Sequence, residues 1–195
     1  MLVDESRRRS FKLMALVSLG LGFAGILPLL KSATPSSAPV PKWPNVRIAN
    51  IKDLVVDTPK IFMYPLEDTP NILVKLGKRV GGGVGPEGDI VAYSQVCQHL
   101  GCFVRFQQAS QQSQGKDTFY CPCHAGIYDA DQSAQVIGGP PLYQLPPVLL
   151  RFDDANGDIF AYGMGPPVIF GKGPPGSTEV SQDLLGGTLV AGTGA

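Results

Sequence analysis

The chain has 195 residues, enough for one ordinary domain with some chain to spare. It contains 24 Gly and 18 Pro, a high share that favours short strands and turns over long helices. Only 16% of the residues are charged while 44% are hydrophobic, and this balance excludes an intrinsically disordered chain. The 16 basic residues equal the 16 acidic ones, so no basic surface for nucleic acid is expected.

The N-terminal segment predicts a membrane anchor. Residues 13–30 carry no charge, and a helix of this length measures about 27 Å, close to the roughly 30 Å core of a bilayer. Residues 1–12 are rich in arginine, which predicts a cytoplasmic N-terminus and a domain on the outer face of a prokaryotic plasma membrane. We expect a retained single-pass anchor, with a cleaved signal as the alternative. Arg8-Arg9 also resembles a twin-arginine export signal.

The rest of the chain is predicted to contain a linker, a β domain and a C-terminal tail. Residues 31–45 have four prolines and no apolar periodicity, as is typical of a flexible hinge linker. Helical periodicity is absent from residues 46–165, where Asn156-Gly157 is typical of a hairpin turn. An all-β, antiparallel domain is predicted there, followed by a Gly/Pro-rich tail at 166–195. The predicted strands are residues 61–64, 72–76, 89–93, 102–106, 118–120, 148–152 and 159–162.

Two short motifs hold every cysteine and histidine of the chain: 97–102 (CQHLGC) and 121–126 (CPCHAG). Packing does not concentrate these residue types within 28 positions, so a metal site or a disulfide is indicated. A structural zinc ion would leave two cysteines unused, and a c-type haem needs two residues between its cysteines where the second motif has one. A [2Fe–2S] cluster held by two Cys and two His, plus one disulfide, uses all six. The spacing alone leaves open which cysteines form which pair.

The two motifs resemble those of Rieske iron–sulfur proteins, specifically the high-potential kind in cytochrome bc-type complexes. Residues 90–94 (IVAYS), 127–129 (IYD) and 138–141 (GGPP) extend the match. The resemblance implies a Rieske-like antiparallel β-sandwich over 46–165, with a small cluster-binding subdomain whose loops span 97–141. It implies one [2Fe–2S] cluster as cofactor and a disulfide between Cys102 and Cys123. The implied cluster ligands are Cys97, His99, Cys121 and His124.

The resemblance assigns roles to four further residues. Tyr128 stands where the family has a tyrosine whose hydroxyl donates to a ligand sulfur, and Pro140 belongs to the proline loop that covers the cluster. Gly126 departs from the pattern, because members with the highest potentials carry a serine there that donates to a bridging sulfide. One such bond, worth about 2 kcal/mol, predicts that Gly126→Ser raises the potential by roughly 90 mV. Leu100 is expected in an apolar docking collar, with ordinary loop packing as the alternative.

The function implied by the resemblance is electron transfer in a quinol-oxidising cytochrome bc-type complex, as a subunit of a quinol:cytochrome c oxidoreductase. His124 is expected to accept a hydrogen bond from quinol, so that proton and electron leave together. The expected partners are the membrane, a cytochrome b-type subunit, quinol and a c-type cytochrome or another acceptor, without nucleic acid. The alternative is the Rieske small subunit of an arsenite-oxidase-like molybdoenzyme, which carries the same cluster.

Overall fold

The structure is a computed structural model that describes residues 43–112, 115–165 and 190–192. The predicted anchor at 13–30, most of the linker at 31–45 and most of the tail at 166–195 lie outside these residues. Within the three described ranges, no helix combines the length and the hydropathy that a membrane crossing requires.

In the described residues, ten strands form the domain, with short 3-10 turns at Ile51–Asp53 and Ala109–Gln111. The strands are β1 (Val46–Asn50), β2 (Lys60–Met63), β3 (Pro70–Lys75), β4 (Ile90–Ser94), β5 (Arg105–Gln107), β6 (Thr118–Cys121), β7 (Gly126–Asp129), β8 (Gln135–Gly138), β9 (Val148–Phe152) and β10 (Asp158–Met164). They pair in three sheets, with the strand orders β1-β10-β9, β2-β3-β4 and β5-β6-β7-β8. Every neighbouring pair of these strands is antiparallel, so the all-β, antiparallel prediction is confirmed.

The sheet β2-β3-β4 lies between two apolar cores, because successive side chains of a strand point to opposite faces. In β3, Ile72 and Val74 contact one core and Leu73 contacts the other. β4 alternates in the same way, with Tyr93 in the first core and Ala92 in the second. Both strands are therefore buried on both faces, which explains why their sequences read as continuous apolar runs.

The first of these cores supports the sheet β5-β6-β7-β8, which carries the second cysteine motif. Phe119 of β6 and Tyr128 of β7 are fully buried in it, and Phe119 packs edge-on against Tyr93 with ring centroids 5.4 Å apart. Cys97 and Cys121 belong to the same core. Both cysteine motifs are thus anchored on one packed layer, which fixes their relative position.

Three of the ten strands carry too weak a pattern to be predicted: β1, β7 and β8. β7 and β8 have four residues each and contain Gly126 and Gly138, so their β-propensity is low. Pairing with β6 defines β7, and pairing with β7 defines β8. The strand predicted at 102–106 is displaced to Arg105–Gln107, because the first motif extends as a loop up to Val104. The hairpin predicted at Asn156-Gly157 joins β9 to β10, and Gly157 has φ +81° there.

The described end of the tail returns to the domain. The N–H of Val190 donates to the C=O of Pro65 at 2.9 Å, and the Val190 side chain packs against the second core. At the other end of the described domain, Trp43 stacks on Tyr64, whose hydroxyl donates to the C=O of Pro44 at 3.0 Å. Both chain ends of the described part are therefore held by the segment that follows β2.

Candidate metal centre

The first motif is a tight loop between β4 and β5. The N–H of Cys97 donates to the C=O of Cys102 at 2.8 Å, and the N–H of Gly101 donates to the C=O of Cys97 at 3.0 Å. Gly101 has φ +80°, a conformation that costs little only without a Cβ. These bonds bring the two cysteines together at the base of the loop, and they leave Leu100 41% exposed.

The second motif is the turn between β6 and β7, in which Cys121 pairs with Gly126 across the hairpin. Cys121 ends β6 and is only 2% exposed, whereas the turn residues 122–125 are exposed. Ala125 has φ +55° within this turn. The end of the strand therefore separates two cysteines that are only two positions apart, since Cys121 faces the core and Cys123 faces solvent.

Cys102 and Cys123 form a disulfide that joins the two motifs. Cys97 and Cys121 are free and buried. The sulfur atoms of Cys102, Cys121 and Cys123 lie within 4.8 Å of one another, but two of these atoms are bonded to each other. The three sulfurs consequently do not offer three thiolates to a metal, and the free thiol donors of the site are Cys97 and Cys121.

The two histidines face each other. The ring centroids of His99 and His124 are 4.8 Å apart and the ring planes are almost perpendicular, at 89°. Nδ1 of His99 is buried and has no hydrogen-bond partner, which is costly unless that atom binds something. Two buried thiols and two adjacent imidazoles, one with an unpartnered buried nitrogen, fit the mixed Cys/His donor set of a [2Fe–2S] centre.

Burial affects the protonation of the Cys121 thiol. It raises the pKa of the Cys121 thiol, a hydrogen bond with the Cys97 side chain raises it further, and backbone bonds at Cys123 and His124 oppose the change. The raised pKa favours the protonated form of the Cys121 thiol at neutral pH, and an iron ion that binds the sulfur displaces the proton.

Tyr128 connects the core to the first motif. Its side chain is fully buried, and its hydroxyl accepts a hydrogen bond from the N–H of Gln98 at 3.0 Å. The same oxygen lies 3.2 Å from Sγ of Cys97. Burial raises the pKa of Tyr128, so the hydroxyl keeps its proton. With the Gln98 N–H on the oxygen, that proton is available to donate to the Cys97 sulfur once the sulfur is a thiolate.

Tyr128→Phe is expected to lower both the midpoint potential and the thermal stability. The variant removes a hydrogen bond, worth about 1 kcal/mol, to a sulfur whose negative charge grows on reduction. The reduced state is stabilised less, so the midpoint potential falls by on the order of 50 mV. The buried N–H of Gln98 also loses its acceptor, at a cost of about 1–3 kcal/mol. Protein-film voltammetry and thermal unfolding measure the two effects. Tyr162→Phe on β10, where the ring is 47% exposed, is the control and changes neither value; an unchanged potential in Tyr128→Phe contradicts the donor role.

The proline segment closes over Gly126. A Cβ on Gly126 would lie 2.8 Å from Cγ and 3.2 Å from Cδ of Pro141, so the proline ring occupies the space that a larger residue needs. Gly139 has φ +80°, and a Cβ there would overlap the backbone of Ala125 and Gly126. Pro141, which is buried, contacts the second motif, whereas Pro140 is exposed. The sequence indicated the proline segment but not that Pro141 is the contacting ring.

Gly126→Ser is expected to destabilise the domain by about 1–3 kcal/mol, because the new side chain overlaps Pro141. Thermal unfolding measures the loss, and voltammetry tests the rise in potential expected from a new donor. The double variant Gly126→Ser/Pro141→Ala makes room for the serine, so its loss of stability is smaller than the sum of the two single losses. Additive losses would show that the proline ring does not restrict position 126.

Three exposed apolar residues of the first motif and the proline segment, Leu100, Leu142 and Tyr143, are called the exposed rim below. Leu142 is 79% exposed and Tyr143 is 52% exposed, and both directly follow Pro141. His124 is exposed in the neighbouring turn, as is Leu100 in the first motif. Exposed large apolar side chains close to a metal-ligating surface are typical of a contact with a partner protein. Sequence reasoning missed Leu142 and Tyr143, although their position after two prolines excludes a central strand.

The comparison with protein families decides the identity of the domain. The model of the Rieske [2Fe-2S] domain matches residues 46–149, more than half of the chain. The chain belongs to the Rieske [2Fe-2S] family. Rieske domains bind one [2Fe–2S] cluster and act as electron carriers in oxidoreductase complexes, together with partner subunits.

Individual Rieske relatives share different lengths of the chain. The iodate reductase subunit IdrB of Denitromonas iodatirespirans is 37% identical over 123 residues, 63% of each protein. The same-named subunit of Pseudomonas sp. (strain SCT) is 33% identical over 167 residues, 82% of this chain and 79% of that protein. The menaquinol:cytochrome c reductase iron-sulfur subunit of Bacillus subtilis is 42% identical over 57 residues, covering 29% of this chain and 32% of that protein.

The fold also matches a solved structure. The soluble domain of the Rieske protein II from Sulfolobus acidocaldarius aligns with a TM-score of 0.53 and 31% sequence identity. The alignment covers 63% of this chain and 78% of that chain. The three antiparallel sheets of the described domain are therefore a Rieske fold.

Proposed function

We propose that this Rieske protein is the electron-transfer subunit of an oxidoreductase that acts on an oxyanion. Iodate is an oxyanion, and the similarity to the iodate reductase subunit of Pseudomonas extends over 82% of this chain. The similarity to the menaquinol:cytochrome c reductase subunit extends over 29%. Of the two functions inferred from the sequence, the longer match favours the Rieske subunit of a molybdoenzyme over the Rieske subunit of a cytochrome bc-type complex.

The single observation that carries an electron-transfer role is the exposure of His124 next to two buried thiols. In the proposed ligand set, Cys97 and Cys121 bind from the protein interior, and His99 and His124 bind from the opposite side. A cluster held in this way accepts and releases one electron at a time. The exposed imidazole brings the redox centre to the surface, where a partner protein can approach closely, and the buried thiols keep water from the other side.

The exposed rim supplies the contact for that partner. Leu142 and Tyr143 follow the proline that contacts the second motif, Leu100 follows His99, and all three side chains are exposed. The Cys102–Cys123 disulfide, which is exposed at Cys123, joins the two motifs and stiffens them. A rigid apolar surface loses little conformational entropy on docking. The proposed partner is therefore a protein subunit that receives the electron at this rim, rather than a small diffusing substrate.

Quinol oxidation in a cytochrome bc-type complex is the second candidate, and the exposed His124 favours it. An exposed imidazole can accept a hydrogen bond from a quinol hydroxyl, which couples the proton to the electron. In this candidate the apolar rim docks on a membrane-embedded cytochrome b-type subunit, and the acceptor is a c-type cytochrome.

The metal content of the native complex distinguishes the two candidates. We expect the full chain, purified with its partners in mild detergent, to carry molybdenum and no b-type haem. Adding iodate or arsenite is then expected to change the oxidation state of the Rieske centre, followed by its low-average-g electron paramagnetic resonance signal. Co-purification of b-type haem without molybdenum, with a response to quinol alone, would instead favour the bc-type role.

We also propose that the uncharged segment 13–30 is retained as a single-pass anchor, with the domain on the outer face of the plasma membrane. The charge asymmetry around the segment supports this orientation. Membrane fractionation of the full chain, with protease added to intact cells from outside, measures it. Digestion of the domain from outside is expected, and a protected domain would contradict the orientation.

A further inference from the structure

One ligand-like thiol lies close to the disulfide. The sulfur of Cys121 is within 4.8 Å of both sulfurs of the Cys102–Cys123 bridge. A free thiol near a disulfide can exchange with it when the attacking sulfur is a thiolate and can reach one bridge sulfur. Iron ligation withdraws the Cys121 sulfur from this reaction, because the lone pairs that would attack are engaged by the metal.

We propose that the site rearranges its disulfide when no cluster is bound. The Cys121 sulfur, which lies within 4.8 Å of Sγ of Cys102, gives up its proton as it attacks that atom, so that a Cys102–Cys121 bond forms and the Cys102–Cys123 bond breaks. The released Cys123 sulfur takes up a proton. The chain has one disulfide before and after the step, so no external oxidant or reductant is needed.

Geometry and exposure favour Cys102 as the sulfur that is attacked. Cys121 and Cys123 are only two positions apart, and β6 ends between them, with Cys121 facing inward and Cys123 outward. A bridge from Cys102 to Cys121 still joins the two motifs and closes a loop only two residues shorter than the 21-residue separation of the bridge it replaces. The loop-closure entropy is thus almost unchanged. The freed sulfur belongs to Cys123, which is exposed, instead of to Cys121, which is buried.

The rearranged chain cannot take up a cluster, because one of its four proposed ligands is bound in the new bridge. A chain that forms the Cys102–Cys123 disulfide before it binds iron therefore loses a ligand. The cluster has to be inserted before the disulfide is left without iron beside it. This inference rests on the assignment of Cys121 as a ligand and is independent of the partner that receives the electron.

Two variants of the full chain test the exchange as a matched pair. Cys97→Ser and Cys121→Ser each remove one proposed ligand, so both are isolated without a cluster, but only Cys97→Ser keeps the attacking thiol. Each protein is pulsed with iodoacetamide under native conditions, then unfolded, labelled with a heavier reagent, digested and mapped by mass spectrometry. In Cys97→Ser we expect linked Cys102 and Cys121 peptides and the first label on Cys123. In Cys121→Ser we expect linked Cys102 and Cys123 peptides and loss of the Cys123 label.

The wild-type chain provides a second measurement that does not depend on the folding of either variant. After removal of iron by a chelator without reductant, its map is expected to change from the Cys102–Cys123 link to the Cys102–Cys121 link. A Cys102–Cys123 link that persists both in the iron-free wild type and in Cys97→Ser would overturn the proposal. A coloured, cluster-containing Cys121→Ser protein would instead refute the ligand assignment, so the two failures are distinguishable.

Discussion

Replacing any one of the four proposed ligands is expected to abolish the cluster. The variants are Cys97→Ser, Cys121→Ser, His99→Ala and His124→Ala. Each leaves the iron atoms one protein ligand short, and a hydroxyl or a methyl group does not replace a thiolate or an imidazole. The visible colour, the iron content and the paramagnetic resonance signal of the reduced protein are all expected to be lost. The domain itself remains folded, because its two cores do not depend on the ligand atoms alone.

A neighbouring residue provides the control for these ligand variants. Leu100 lies between His99 and Gly101 in the same loop and is 41% exposed, so Leu100→Ala changes the loop without removing a donor. It is expected to keep the full iron content and to weaken only the contact with the partner subunit. If instead one zinc ion per chain were found in the wild type, or if all four ligand variants kept their colour, the ligand assignment would be wrong.

Removing the disulfide by Cys102→Ser or Cys123→Ser is expected to give a protein that acquires its cluster but loses it readily. The bridge closes a 21-residue separation and joins the two motifs that hold the ligands. In the chain-entropy account a loop of this size contributes about 3 kcal/mol to stability. We expect a melting temperature lower by roughly 10 °C and a half-life of the visible absorbance that is at least several-fold shorter at elevated temperature.

The double variant Cys102→Ser/Cys123→Ser is the control for the disulfide. If the two sulfurs act only through their bond, the double variant loses no more stability than either single variant. Losses that add up would mean that each cysteine contributes separately, and an unchanged absorbance half-life would show that the bridge does not clamp the site. A phenotype equal to that of the ligand variants would contradict the division of the four cysteines into ligands and bridge.

Much of the site was predictable because its chemistry requires particular residue types at short spacing. Cys97 and His99 are two positions apart in the first motif, and Cys121 and His124 are three positions apart in the second. The local sequence therefore already places each thiol near an imidazole. The pairing of the cysteines was different. Sequence spacing left it open, and it is the end of β6 that turns Cys121 into the core and leaves Cys123 on the surface.

The strands show the same division between local and long-range information. β3 and β4 were predicted because strands buried on both faces have continuous apolar sequences. β7 and β8 were not, since Gly126 and Gly138 lower their intrinsic propensity and pairing with neighbouring strands defines them. Local propensity therefore predicts the strands that fill the cores, while the strands that shape the site depend on their partners.

Strand periodicity predicts the all-β class, the spacing of the two motifs predicts the residue types that can hold a [2Fe–2S] cluster, and the resemblance of these motifs to known proteins predicts the family. Packing between distant segments decides that Pro141, rather than Pro140, lies against Gly126, and that a Cβ added at that position would lie 2.8 Å from the proline ring. It also decides that Tyr128 reaches Cys97 from 31 residues away. Such contacts join distant segments, and their distances are set by how the sheets pack around the shared core.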